Sequence, residues 1–340
     1  MSKRRGALVA LAELVIAAGV LMAASGVTIA SPDDKRWQAV APGRVESCSG
    51  QIKVATDVTG VVDKVLVKAS DRVFAGEPLI HLADGEPAAR LAAAETQVAL
   101  RKRARDERSA SGSANARRKA RDAVANAEQA VYDVRAIVDR AAAEWRAKGG
   151  PDDSLTTARS ALARAQVELT KRQEELQTTE EDSPLPSLLE GQLSIARSEY
   201  AVVRSALDKM TVRAPIDGTV LQVNVRAGEL VSPGSPQPPL QLADLSALCL
   251  RAELDERDLG SVKVKQPVSV RAAAFPGREF EGIVSSIAPL VEPGRLEPSG
   301  SRNQTDVNIV EVMVKLTGSG ELMVGMKADV YFRFGQVVDR

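Results

Sequence analysis

Few side chains in this sequence have the types and spacing that catalysis or metal binding requires. His81 is the only histidine in 340 residues. No other residue could serve as the histidine of a Ser-His-Asp triad, and a metal site with several histidines is excluded. We expect His81 to be a structural residue at the end of an apolar strand, with pH sensing as the alternative. The acidic run Glu180-Glu181-Asp182 is expected to be a solvated helix end. The sequence therefore predicts no catalytic residue, no metal, no cofactor and no enzyme.

Two cysteines, Cys48 and Cys249, are the only ones in the chain, and their separation matches no metal-ligand spacing. If the chain is exported, they can form a disulfide, because oxidising compartments favour one. Two packed free thiols are the alternative.

The densest basic run is Arg101-Lys102-Arg103-Ala104-Arg105, but Asp106 and Glu107 follow it directly. Lys plus Arg and Asp plus Glu are both 45, and aromatic residues make up only 3% of the chain. This composition favours a solvated helix face over a nucleic-acid surface. No Gly-x-Gly-x-x-Gly or Walker string occurs, so we expect no nucleotide site.

The residues considered so far lie within or on either side of one long helical stretch, residues 86–210. Its apolar positions repeat in 3-4 steps, which keep one seam against one partner helix. Before the central break they are Val124, Ala127, Val131, Val134, Val138, Ala141 and Trp145; after it they are Leu155, Ala158, Leu162, Ala165, Leu169, Arg172 and Leu176. Gly149-Gly150-Pro151 separates the two runs. The pattern predicts an antiparallel coiled-coil hairpin that turns at these three residues.

Each arm of this hairpin has an interruption, at residues 109–113 and at residues 182–186. The two interruptions are almost equally far from the central turn, so we expect them at the same height. Arms of about 60 residues would extend roughly 90 Å at 1.5 Å per residue. Such a length is typical of a spacer or docking rod, and Trp145, Gly149, Gly150 and Pro151 at its tip are candidate docking residues.

The N-terminus contains Lys3-Arg4-Arg5 and then an apolar run over residues 7–30, interrupted by Glu13. That length suffices to cross a bilayer, and the preceding positive charge favours a cytoplasmic tail at residues 1–6. We expect a single-pass anchor with the rest of the chain exported. A cleaved signal peptide with its site near Ala23-Ala24-Ser25 is the alternative.

Two short β-type segments, residues 57–85 and 211–245, flank the helical stretch and match each other. The matching pairs 158 residues apart are Gly60 and Gly218, Val62 and Val220, Val65 and Val223, Val73 and Val231, and Gly76 and Gly234. Each segment is too short to fold alone, so we expect the two to close into one β-sandwich from which the helices project.

A second β region covers residues 246–335, where Leu248, Leu250, Ala252 and Leu254 alternate with polar residues. Further short strand patterns follow it, and they predict a small antiparallel barrel. Residues 37–56 are expected to add a strand to this barrel and to bring Cys48 into it beside Cys249.

The two matching halves resemble biotinyl/lipoyl domains. A lipoyl-like domain split by a helical hairpin is similar to the HlyD-type membrane fusion proteins, also called periplasmic adaptors. Ala214-Pro215-Ile216-Asp217-Gly218-Thr219-Val220 matches the family string A-P-x-D-G-x-V. The lipoyl-half signature would comprise Gly60, Gly76, Pro215, Gly218 and Gly234. No lysine stands at the junction Ala83-Asp84-Gly85-Glu86, which excludes attachment of a lipoyl or biotinyl group there.

Two further strings extend the resemblance. Residues 322–330 are similar to the family string L-x-P-G-M, with Val324 in place of the proline, and residues 306–316 are similar to adaptors of ABC-type exporters. In adaptors of TolC-like channels the tip reads R-x3-L-x6-S/T. Here Arg146 is followed four places later by Gly150, so this sequence departs from that pattern.

The predicted fold class is therefore α+β and elongated, with a transmembrane anchor, a helical hairpin inserted in a split lipoyl-like sandwich, and a small barrel. The resemblance implies a periplasmic, inner-membrane-anchored adaptor that couples an ABC permease to an outer-membrane exit route or channel. It also implies a homo-oligomer, hexameric in the family. The alternatives are an adaptor of an RND-type pump and an exported structural tether without a transport role.

Overall fold

The computed structural model describes residues 37–149, 153–181, 185–293, 308–318 and 321–333. It divides the chain into one compact unit of Met1–Glu46 with Leu248–Arg340 and another of Ser47–Ala247. The predicted cytoplasmic tail and membrane anchor lie outside the described residues. Within those that are described, no helix is both long and apolar enough to cross a bilayer.

The strands are β1 (Trp37–Ser47), β2 (Gln51–Val54), β3 (Gly60–Val65), β4 (Arg72–Val73), β5 (Pro78–Leu82), β6 (Thr211–Arg213), β7 (Gly218–Val223), β8 (Leu230–Val231), β9 (Leu240–Ala243), β10 (Leu248–Asp255), β11 (Pro267–Ala272), β12 (Phe280–Pro293), β13 (Asn308–Thr317) and β14 (Lys327–Arg333). The α-helices are α1 (Gly85–Asp106), α2 (Gly112–Lys148), α3 (Asp153–Glu181) and α4 (Leu188–Asp208), and a 3-10 helix covers Glu256–Ser261.

The first unit contains a closed barrel with the strand order β1-β10-β13-β12-β11-β14. Closure pairs every strand on both sides, which leaves no exposed edge for another chain to extend. Alternate residues point inward along β1, and the largest fully buried core side chains include Leu250, Leu254 and Phe332. The barrel agrees with the predicted fold class.

The second unit contains the β-sandwich, whose sheets have the orders β2-β9-β7-β4 and β6-β5-β3-β8. Each sheet takes two strands from before the helical insert and two strands from after it. Val62 and Val220, each 1% exposed, belong to one core. The halves therefore fold as a single body, because neither can bury its apolar face without the other.

One boundary differs from the prediction. Residues 37–56 were expected to belong entirely to the barrel, but β2 pairs along its whole length with β9 of the sandwich. Cys48 consequently lies in the turn between β1 and β2, outside the barrel strands, whereas Cys249 lies in β10. The sequence hides this change because both strands alternate in the same way.

The helices are inserted between β5 and β6, which are neighbouring antiparallel strands with His81 opposite Thr211. The helices therefore leave and re-enter the sandwich at adjacent points. Helix α1 packs on α4, and α2 packs on α3. Both pairs are antiparallel, as shown by Arg101 with Gln192 in one and Arg121 with Glu180 in the other. The predicted helical pairing is present.

The direction of the outgoing arm differs from the prediction. We expected α1 and α2 to continue in one line, which would separate Arg105 from Asp122 by about 25 Å at 1.5 Å per residue. Instead, the Arg105 guanidinium donates to both oxygens of Asp122 at 2.9 Å. The chain reverses between α1 and α2, and the α2–α3 pair runs back toward the sandwich. Heptad spacing fixes which faces pair, but it does not distinguish a straight connection from a reversal.

Candidate functional site: the hairpin turn docked on the sandwich

The C-terminal end of α2 lies against the sandwich, and a small apolar cluster forms there. The rings of Trp145 and Phe74 are tilted, with centroids 5.4 Å apart. Ala142 is 2% and Leu155 1% exposed in the same cluster. Phe74 follows β4, so a sandwich residue contributes to the core of the α2–α3 turn. Aromatic contacts of this kind stabilise beyond the area they bury.

An ion pair between Arg146 and Glu77 lies beside this cluster. The Arg146 Nε is 2.6 Å from the Glu77 Oε1, and the exposed fractions of the two side chains are 11% and 2%. Arg146 also donates to the carbonyl oxygen of Leu66. The second Glu77 oxygen accepts from the Phe74 amide at 2.9 Å. Both groups are thus held by partners on the sandwich side of the contact.

Burial raises the pKa of Glu77, and this effect outweighs the Phe74 amide and the Arg146 guanidinium, which lower it. The ion pair therefore does not fully replace the hydration that Glu77 would have in water. A buried pair of this type gives orientation more than net stability. Loss of either partner alone is costly, because the other charge stays buried.

Arg159 of α3 makes a second contact with the sandwich. Its guanidinium lies 3.9 Å from the centroid of the Phe74 ring, a distance that gives a cation–π interaction. It is also 3.9 Å from the Asp217 carboxylate, and that carboxylate accepts from the Ala75 amide at 2.7 Å. Asp217 is the acidic residue of the A-P-x-D-G-x-V string, so this motif residue lies at the docking contact.

Arg213 of β6 makes a third contact. It donates to both carboxylate oxygens of Asp139 on α2, at 2.8 and 2.9 Å, and to the Gly76 carbonyl oxygen at 2.9 Å. Paired parallel hydrogen bonds fix the guanidinium and the carboxylate in one plane. Three arginines, two from the hairpin and one from the sandwich, therefore hold the turn in place.

Polar contacts continue along the line where α2 faces α4. Glu190 accepts from Arg117 at 2.8 Å and from Arg118 at 2.5 Å. Asp122 and Arg197 pair at 2.6 Å. Nearer the sandwich, the Arg204 guanidinium lies 3.9 Å from the Tyr132 ring centroid. Beside this line is an open cleft of about 450 Å³, lined by Arg105, Arg117, Arg118, Arg121, Glu190 and Arg197 among others.

The signature glycines lie where the two halves repeat their geometry. Gly76 and Gly234 have φ of 81° and 76°, in the left-handed region that favours glycine. A Cβ on Gly218 would lie 2.7 Å from the Ala243 carbonyl oxygen, and one on Gly60 would lie 3.2 Å from Leu82. Pro215 follows Ala214, whose amide donates to the Glu77 carbonyl oxygen at 2.9 Å. These residues shape the sandwich next to the docked turn.

Among the candidate docking residues, Trp145 lies against the sandwich and not at a free tip. Trp145 packs on Phe74 of the sandwich, and Gly149 ends α2 with φ of 64°. Gly150 and Pro151 lie outside the described residues. The structure thus corrects the expectation of a distant tip, because the reversal after α1 brings the turn back to the sandwich.

The other candidate residues take separate places. Both Cys48 and Cys249 are disulfide-bonded. His81 lies in β5 with Asp63 and Asp84 carboxylates 3.6 and 3.4 Å from its two ring nitrogens. Within the described residues, no cluster of metal-ligating side chains occurs.

The sequence pattern did not predict the pairing of Glu77 with Arg146. Glu77 sits directly after a turn glycine, where an acidic residue is ordinarily solvated. One feature of the sequence could have indicated this contact. Arg146 follows Trp145 at the end of an apolar seam, where a long side chain can extend beyond its own helix to a charged partner.

Comparison with known families covers most of this architecture. The sequence matches the family described as CusB, barrel-sandwich hybrid domain, over residues 51–237, and the CusB-like, beta-barrel domain over residues 248–295. The first match covers more than half of the chain.

Individual relatives are more distant. The chain is 28% identical over 251 residues to the multidrug resistance protein MdtN of Escherichia coli strain K12, covering 71% of each chain. It is 29% identical over 105 residues to the macrolide export protein MacA of Yersinia pestis, covering 31% of this chain and 28% of that relative. It is 31% identical over 144 residues to the UPF0194 membrane protein in the asrC 5' region of Acidithiobacillus ferridurans, covering 41% of this chain and 39% of the relative. The last two matches thus span well under half the length of those relatives.

Among solved structures, the chain is similar to MacA from Actinobacillus actinomycetemcomitans, with a TM-score of 0.50 and 19% identity over 86% of this chain and 78% of that one. This likeness is one of fold. Together with the interleaved sandwich, the inserted helices and the barrel, the family match identifies the architecture. The chain therefore belongs to the CusB barrel-sandwich hybrid family, and with it to the membrane fusion proteins, or periplasmic adaptors, of the HlyD type that its sequence resembles.

Proposed function

We propose that this protein is a periplasmic adaptor subunit of an export complex, which couples an inner-membrane transporter to an outer-membrane exit route. The observation that carries the proposal is the split sandwich with a helical insert, in a chain whose family match runs from residue 51 to residue 237. The relatives named for macrolide export and multidrug resistance support an export role. No enzymatic activity is proposed.

For the transporter partner we favour an ABC permease with its ATPase, on the likeness of residues 306–316 to adaptors of ABC-type exporters. An RND-type pump is the second candidate, since the sandwich and barrel alone fit either. The proposed location is the periplasm, with residues 7–30 as the inner-membrane anchor. Self-association into a ring and a contact with an outer-membrane channel belong to the same proposal.

The test is purification of the tagged full-length chain in mild detergent from its native membrane, followed by identification of the proteins that co-elute. Recovery of an ABC permease and its ATPase is expected, and recovery of an RND pump would replace the ABC assignment. Absence of any transporter, together with unchanged export after deletion of the gene, would favour a structural tether and contradict the adaptor role.

A deletion strain complemented with the chain lacking residues 7–30 separates anchoring from coupling. With a signal peptide supplied in place of the anchor, we expect the chain in the soluble periplasmic fraction. Persistence in the inner-membrane fraction after carbonate extraction would contradict the anchor assignment.

A further inference from the structure

The α2–α3 pair is joined to the rest of its unit by contacts of an unusual kind. The described residues form hydrophobic cores in the barrel, in the sandwich and around Phe74, and none of the three lies between the α1–α4 pair and the α2–α3 pair. The contacts there are instead charged, as in Arg117 with Glu190 and Arg135 with Asp208. Charged groups thus supply much of the contact between the two helical pairs.

The geometry of the connections makes the α2–α3 pair a separate lever. The α1–α2 connection (Glu107–Ser111) and the chain entering α4 (Leu185–Ser187) both lie at the end of the helices away from the sandwich. Gly112 begins α2 with φ of 59°, and Leu185 is 94% exposed. At its other end the described part of the lever touches the sandwich at the end of α2 and through the Arg213–Asp139 pair. Rotation about the two connections would move α2 and α3 together without breaking either helical pair.

The contacts that hold the α2–α3 pair differ in how easily they separate. The buried pair of Arg117 and Glu190, with side chains 3% and 5% exposed, is costly to break, whereas the exposed pairs are not. Ion pairs on a partly exposed surface contribute little net stability and weaken with salt, because water and counterions solvate the separated charges well. The Arg135–Asp208 pair, with side chains 41% and 39% exposed, is of this kind. At the turn, Glu77 regains its hydration when it separates from Arg146, which offsets the lost attraction.

We propose that the α2–α3 hairpin is a latched lever that swings away from the sandwich into line with α1 and α4. Arg146 and Arg159 must then release Glu77, Phe74 and Asp217, and three further pairs must separate, namely Arg213 with Asp139, Arg117 with Glu190, and Arg105 with Asp122. The described connections Glu107–Ser111 and Leu185–Ser187 are the hinges of this movement. In the open form α1 and α2 together carry the Gly149 turn about 90 Å from the sandwich, from 1.5 Å per residue. The movement is a property of the chain alone, and it rests on the proposed adaptor function only for its biological use.

The test is single-molecule fluorescence energy transfer on the purified full-length chain without reductant. Donor and acceptor dyes are placed on Lys68→Cys in the sandwich and Lys148→Cys at the end of α2, both exposed positions. We expect high transfer in low salt. Arg146→Ala with Arg159→Ala, and separately 1 M NaCl, should increase the low-transfer fraction at least tenfold.

Two controls keep the result specific. Dyes on Ala143→Cys and Thr157→Cys, which report on the α2–α3 pair itself, should keep high transfer under every condition. Arg140→Ala, an exposed arginine on the same helix, should leave both signals unchanged. If Arg146→Ala fails to fold by circular dichroism, Arg159→Ala alone is expected to give a smaller change in the same direction.

The lever proposal is contradicted if the energy transfer between Lys68→Cys and Lys148→Cys stays high in the double variant and in 1 M NaCl. It is equally overturned if the Ala143–Thr157 transfer falls in parallel, since the hairpin then melts instead of swinging. No transporter is present in this measurement, so its failure leaves the adaptor proposal intact. Conversely, a chain that captures no transporter can still show the movement.

Discussion

Glu190 illustrates how a single carboxylate organises the helices far from the sandwich. It is 5% exposed, receives hydrogen bonds from Arg117, Arg118 and the Ser187 amide, and completes a capping box at the start of α4. Burial alone would raise its pKa, but the hydrogen bonds from Arg118 and Arg117 prevail and lower the pKa to about 2. The folded state therefore stabilises the charged form of Glu190.

Stability should therefore fall in acid. Since the folded pKa lies below the ordinary value of 4.5, the contribution of Glu190 is complete above pH 4.5 and is lost as the pH falls toward about 2. The shift corresponds to about 3 kcal/mol of unfolding free energy. Urea unfolding followed by circular dichroism at pH values from 2 to 7 measures this. Glu190→Gln should flatten the decline, whereas exposed Glu174→Gln should not; equal profiles for the two variants would contradict the assignment.

Gly218 should not tolerate a side chain. A Cβ there would lie 2.7 Å from a backbone oxygen that cannot move without disturbing β9. Gly218→Ala is expected to lower the unfolding free energy by about 1–3 kcal/mol. Gly191→Ala is the matched control, because this helical glycine has nothing within 4 Å and alanine favours a helix by about 1 kcal/mol. If Gly218→Ala and Gly191→Ala change the thermal unfolding temperature equally, this interpretation is wrong.

The structural roles of individual residues differ in how far the sequence predicts them. The paired glycines were predictable because each recurs at the same place in both halves, and a repeated turn needs the same backbone conformation twice. The Arg146–Glu77 contact was not, because it exists only after the chain reverses beyond α1. No local pattern around either residue encodes a partner so distant in sequence.

At the scale of elements, the two halves should respond alike to equivalent substitutions. Val62 of β3 and Val220 of β7 are each 1% exposed in the same core. Val62→Ala and Val220→Ala should each lower the unfolding free energy by about 2 kcal/mol, from the lost burial and the cavity left behind.

Urea denaturation of the full chain measures both costs, and Val61→Ala, at 44% exposure, is the control with a smaller expected effect. A large cost at one position with none at the other would show that the two segments do not share a core.

The elements themselves were largely predictable, and their directions were not. The 3-4 spacing identifies helices and their seams because burial along one face requires it. It leaves the connections open: a break with Ser and Gly permits both a straight continuation and a reversal. Here Arg105 and Asp122 form an ion pair across the reversal. This is a tertiary contact, and the spacing of apolar residues does not predict it.

For the whole molecule, the disulfide state gives a direct test. Both cysteines are disulfide-bonded, and they are the only two in the chain, so a Cys48–Cys249 bond remains our prediction. Full-length monomer denatured without reductant should show no reactive thiol, and two after reduction. Cys249→Ser should expose one thiol and lower the unfolding free energy by about 3 kcal/mol. Two reactive thiols in the unreduced protein would contradict the bond.

The placement of the insert has a consequence for how such chains diversify. Because the helices depart and return on neighbouring strands of one sheet, their length can change without altering the strand pairing of the sandwich. Turns added to α1 and α4 must be matched in α2 and α3, since the end of α2 otherwise leaves Phe74 and Glu77. A graft of foreign helices at Leu82 and Thr211 follows the same logic.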